Sequence, residues 1–225
     1  SKSGDFISST YYNKTTLPSW LMNYNNLNKV DSFYKLGWNL SLPKSIYEEN
    51  CDTDVNEYES TPLGTDAKGF PYDLNKFIGK DYGKIASTPY GNNVVFDVAQ
   101  QIILNEKLGA DDITDLLAVS FSSPDYIGHS FGPNSWELFD NYIKLDEILA
   151  QLFTLLDKQV GKNNYTVFLT ADHATLCAVA SLEDEVFRSR GSLYSSHALL
   201  KAEMYISWAC SGRWFRTESG RSKID

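Results

Sequence analysis

From Asn93 to His173 the hydrophobic spacing alternates between a helical and a strand period, and few folds accommodate that order. The run "NVVFDVAQQIILNEKLG" places Val94, Val95, Val98, Ile102 and Leu108 near one stripe, with Gly109 as a candidate left-handed residue after the last turn. The run "DLLAVSF" is continuously apolar and of strand length, which predicts a strand buried on both faces. Next, "NSWELFDNYIKLDEILAQLFTLLDKQV" repeats Trp136, Phe139, Ile143, Leu145, Leu149, Leu152, Leu156 and Val160 at three- and four-residue steps. Asn134 or Ser135 can cap that helix, and Gly161 can end it. The run "YTVFLTADH" reads as a second buried strand. Helix, strand, helix, strand in this order predicts an α/β fold: part of a mostly parallel sheet flanked by helices.

The flanks are less regular. "GDFISSTYY" reads as a strand, and "LPSWLMNYNN" as a short helix opening at Pro18. Residues 26–87 are rich in Asn, Asp, Pro, Gly and Tyr with no sustained period, but they keep their aromatics. They read as an accessory insertion of loops and short elements between core segments 1–25 and 88–175, with the aromatics packing locally. Residues 176–225 differ again. All five arginines, Arg188, Arg190, Arg213, Arg216 and Arg221, lie there. Two readings stand: a surface helix with a tail, or a non-native end after about Ala174. The second predicts that the chain beyond about residue 178 packs poorly on the sheet.

Composition excludes several functions. The net charge of −9 argues against nucleic-acid binding, which needs a basic face. No stretch approaches the roughly 18 apolar residues of a membrane span. The first residues show no basic and then apolar leader pattern, which says little about compartment. Cys51, Cys177 and Cys210 form no CxxC pair and allow no disulfide framework.

The chemistry concentrates after the two strands. Asp125 and His129 follow "DLLAVSF", and Asp172 and His173 follow "TVFLT"; of the chain's 3 histidines, two therefore sit at strand ends beside an aspartate. Ligands of open α/β sheets bind at those carboxyl ends. Pro124, Gly128, Gly132 and Pro133 predict an aimed loop around the first pair, too punctuated for a regular i,i+4 helix pair. Carboxylates and neutral imidazoles form a donor set suited to Zn²⁺, and two such pairs could serve two metals about 4 Å apart, as in phosphoryl transfer. Alone, either pair is more commonly an ordinary hydrogen bond; it is their recurrence at consecutive strand ends that points to a metal. Asn92 and Asn93 read as caps of the following helix, and His197 as a solvated helix histidine.

At these residues the chain resembles a known family. "TPYGNNVVFDVAQQ", "SFSSPDYIGHSFGPNS" and "FLTADH", with the entry segment "GDFISSTYYNKTTLPSWLMNYNN", resemble the PafA-type bacterial alkaline phosphatases over about residues 4–174. The resemblance implies an alkaline-phosphatase-like fold, two Zn²⁺ ions and a periplasmic or exported location. It also implies hydrolysis of small phosphate monoesters through a covalent phosphothreonine. By position, Asp125 and His129 match two ligands of the zinc on the leaving-group side, and Asp172 and His173 match two ligands of the zinc that activates the nucleophile. The nucleophile and the Lys and Arg that contact phosphate are expected upstream of Ser1, so the chain reads as an internal fragment with no catalytic residue of its own. The family usually has glycine where Ala174 stands. Phosphodiester or pyrophosphate cleavage, sulfate ester hydrolysis, and a non-catalytic metal- or partner-binding module remain the alternatives. The sequence is silent on oligomeric state.

Overall fold

The computed structural model describes residues 3–9, 16–171 and the backbone of 203–207. Asp5–Ser9 is not a strand. The Asn25 side chain takes the place of a strand partner: Phe6 N–H donates to Asn25 Oδ1 and Asn25 Nδ2 donates to the Phe6 carbonyl, both at 2.9 Å. Helix α1 (Ser19–Asn25) follows Pro18 as its spacing predicts. Residues 26–87 form α2 (Lys29–Leu36), α3 (Lys44–Asn50) and 3₁₀ turns at Asn75–Phe77 and Tyr82–Ser87.

The periodic segments come next. They are α4 (Tyr90–Asn105), β1 (Leu116–Ser120), α5 (Ser123–Phe131), α6 (Trp136–Leu156) with a π turn at Asp157–Gly161, and β2 (Thr166–Thr170). Ser135 caps α6, its hydroxyl accepting from Leu138 N–H at 3.2 Å, and Gly161 at φ +100° closes the π turn. Helix α4 ends sooner than Gly109 suggests. The chain leaves it at Glu106 and turns through Lys107 at φ +55° and Gly109 at φ +72°.

Glu203–Ser207 is β3, the middle strand of the sheet, antiparallel to β1 on one side and β2 on the other. The α/β class holds, but both described pairings are antiparallel, against the parallel arrangement expected. Strands β1 and β2 do run the same way, because the α6 crossover returns the chain in the same direction; it leaves a gap one strand wide, which β3 fills. Periodicity encodes strands, not their spatial order. These five residues pair with the sheet through their backbone, while the side chains on which the expected poor packing beyond about residue 178 turns lie outside the described residues. The rest of 176–225 lies outside the described residues, as do the arginines, His197, Cys177 and Cys210.

Two clusters make the core. The first joins Phe96, Ala99 and Ile103 of α4, Leu117, Val119 and Phe121 of β1 and its exit, and Leu145, Ile148, Leu152 and Leu156 of α6. Each such side chain contributes about 1.5–3 kcal/mol when fully buried. Only one face of β1 is covered among the described residues: Leu117 and Val119 are buried, whereas Leu116 is 69% exposed. Phe168 and Leu169 of β2 are likewise exposed. Strands buried on both faces are therefore not what these residues show.

The second cluster draws Val30, Tyr34, Trp38, Leu63, Tyr72 and Leu74 from 26–87 against Ile127 and Phe131 of α5 and Leu138 of α6. The aromatics expected to pack locally thus also reach across to the strand-end helices. Trp38 and Tyr72 exchange backbone hydrogen bonds at 2.9 and 3.0 Å, and the Phe70 ring stands edge-on to Trp38 with centroids 5.2 Å apart.

Candidate metal centre

The segment after β1 is a helix, not the aimed loop that its prolines and glycines suggest. Pro124 falls in the first turn of α5, where a missing N–H costs nothing and a fixed φ near −65° suits the helix. Gly132, at φ +97°, stops the helix immediately after Phe131. The punctuation therefore marks the two ends of the helix, and the i,i+4 geometry excluded on sequence grounds is the one adopted. Asp125 and His129 project from one face, with His129 Nε2 3.2 Å from Asp125 Oδ1.

That separation bears on metal binding. Zn–O and Zn–N bonds of about 2.0–2.1 Å at a tetrahedral angle put two donor atoms about 3.3 Å apart. The separation matches that of two ligands of one ion, and equally that of a direct imidazole–carboxylate contact. Asp125 is mostly covered, its side chain 18% exposed, while the His129 side chain is 61% exposed. The pair accordingly offers one shielded carboxylate and one imidazole facing outward. Among the described residues no three His, Cys, Asp or Glu side chains converge to hold a metal. Asp172 and His173 lie outside the described residues, and β2 ends two residues before them.

What holds α5 in place was only partly legible. Asn92 is not a cap: Pro89 stands at the N-cap of α4, which has no side-chain cap. Asn92 is fully buried and donates Nδ2 to Asn141 Oδ1 at 2.9 Å, tying α4 to α6. One residue earlier, Gly91 lets α4 meet the start of α5 closely, since a Cβ there would collide with Ser123 Oγ.

Sequence reasoning missed two buried carboxylates on α6. Asp140, wholly buried, accepts from Trp38 Nε1 (2.7 Å), Tyr47 OH (2.6 Å) and Ser41 N–H (2.7 Å), and faces Lys144 Nζ at 3.2 Å. Lys144 also donates to Ser41 Oγ. Glu137 accepts from Tyr72 OH at 2.6 Å; burial, with Glu59 and Asp54 nearby, pushes its carboxyl up to about 8. Burial likewise raises Glu59 to about 7 and the half-buried Cys51 thiol to about 11. The signal was available: 137, 140, 141 and 144 share helical spacing and form a polar stripe beside the leucines.

The chain is similar to known proteins. The chain is 44% identical over 181 residues to the alkaline phosphatase PafA of Elizabethkingia meningoseptica, covering 80% of this chain and 33% of that protein. It is 44% identical over 170 residues to the alkaline phosphatase PhoV of Synechococcus elongatus, covering 76% and 30%. A crystal structure of wild-type alkaline phosphatase PafA superposes with a TM-score of 0.76 at 40% identity, covering 82% of this chain and 35% of that one. The chain thus spans about a third of the length of these relatives. The type I phosphodiesterase / nucleotide pyrophosphatase family matches residues 6–184, well over half of the sequence, and the chain belongs to that family.

Proposed function

We propose that this chain is part of an exported enzyme that hydrolyses phosphate monoesters at a zinc-dependent centre. Asp125 and His129 hold zinc from the end of β1, and Asp172 and His173 from the end of β2. The carrying observation is the Asp125–His129 pair, whose 3.2 Å spacing is one that two ligands of a single ion can share. Sheet register supports the second pair. Ser120 and Thr170 both lie opposite Glu203, so the carboxyl ends of β1 and β2 flank one residue and stand roughly 10 Å apart, two strand spacings. Bound zinc supplies Lewis acidity toward phosphoryl oxygens. The part played by α5 is to fix its carboxylate and imidazole on a single rigid turn and to keep the carboxylate shielded.

A second reading, phosphodiester or pyrophosphate cleavage, is favoured by the family matched over residues 6–184. The test is hydrolysis of p-nitrophenyl phosphate and bis(p-nitrophenyl) phosphate by the full-length protein with added Zn²⁺, beside Asp125→Asn and His129→Ala. Monoester turnover that each substitution lowers by about 10-fold or more supports the proposal. Preference for the diester selects the second reading, and turnover indifferent to both substitutions removes these residues from the site.

A further inference from the structure

The last turn of α5 is held from outside by the chain between Asp52 and Ser60. Ser130, next to His129, has one of the helix carbonyls left without an intrahelical donor. Ser60 supplies two donors to it, N–H at 2.8 Å and Oγ at 3.0 Å. Asp52 closes the other side of the corner: its N–H donates to the Asn134 carbonyl at 3.0 Å, and its own carbonyl accepts from Trp136 Nε1 at 2.7 Å. Between these ties the Tyr58 ring lies on Gly132, 3.1 Å from where a Cβ would stand. Residues 52–60 thus form a strap over the α5–α6 corner, fastened at both ends. The His129 ring is mostly exposed, so its direction depends on how that final turn is set.

We infer that the 52–60 strap positions His129 as a metal ligand, with Ser60 as the positioning residue. The inference rests on the reading of His129 as a ligand. Removing the Ser60 hydroxyl leaves the backbone tie and the fold but lets the Ser130 turn relax, and ligand direction is what metal affinity reads. The experiment is a double-mutant cycle on the full-length protein, with the Zn²⁺ dissociation constant measured by competition with a chromophoric chelator. Ser60→Ala should weaken Zn²⁺ about 3-fold or more when His129 is present. In the His129→Ala background Ser60→Ala should have no further effect, a coupling that a merely structural role does not produce. Equal effects in both backgrounds, or none with His129 present, overturn the inference while leaving ligation intact. An unchanged affinity in His129→Ala alone overturns the ligand reading, and the positioning role with it.

Discussion

Glu137→Gln should remove much of the pH dependence of stability on the alkaline side. Glu137 is wholly buried, one oxygen bonded to Tyr72 OH and Oε2 without a hydrogen-bond partner among the described residues. Burial raises its carboxyl from 4.5 to about 8, so the folded state holds a proton that the unfolded chain releases. The sign follows: the contribution is fully present below pH 4.5 and is lost as pH rises through about 8. At 1.36 kcal/mol per unit, a shift of about 3.5 units sets a ceiling near 5 kcal/mol, a large share of the 5–15 kcal/mol typical of a domain. Glu59, raised to about 7 but only half buried, adds in the same direction with about a third of that ceiling after screening. Gln keeps the Tyr72 acceptor and carries no charge, so it mimics the protonated acid. Urea unfolding at pH 5, 7 and 9 is the assay. The wild type should lose about 3–5 kcal/mol across that range and the variant at least half as much less. Parallel pH profiles would refute the reasoning.

Other expectations follow from the same contacts. Asp140→Ala should cost about 3–5 kcal/mol in urea unfolding, because three donors and the Lys144 ammonium lose a buried partner; a loss below about 1 kcal/mol would contradict the network. Gly91→Ala should destabilise by about 1–3 kcal/mol through overpacking on Ser123, with Ser123→Ala restoring part of the loss in the double variant and the Ile85 carbonyl, 3.0 Å from the added Cβ, keeping the rest. Purified 225-residue chain with excess Zn²⁺ should hydrolyse p-nitrophenyl phosphate little or not at all, since the matched positions give each zinc two ligands instead of the usual three; turnover abolished by Asp172→Ala would overturn that.

The long periodic elements were legible because apolar stripes fix them: α6, with its Ser135 cap, and the α4–β1–α6–β2 succession emerge from spacing alone. The error at α5 has a definite cause. Proline and glycine break a helix in its interior but bound it at its ends, and a short segment does not say which applies. Strand order was not legible either, since β3 comes from a distant part of the chain and pairs through backbone groups common to any sequence. The inward turn of Asp140 and Glu137 was hidden because their partners, Trp38, Tyr47 and Tyr72, lie 65–102 residues away.

Those partners determine how the accessory segment relates to the candidate centre. Residues 26–87 look detachable by period and composition, yet their Trp38 and Tyr72 bury Ile127, Phe131 and Leu138, the apolar sides of the two helices on which the Asp125–His129 pair depends. Removing the segment would expose that surface and also strand two carboxylates whose donors it supplies. Buried carboxyl oxygens left without their donors cost more than the apolar contact they replace, so the helices could not simply close over the gap. A deletion of 26–87 should therefore unfold α5 and α6 rather than leave a trimmed core. Loss of the cooperative urea transition is the expected outcome, and a retained transition with native helix content would show that the strand-end helices stand without the segment.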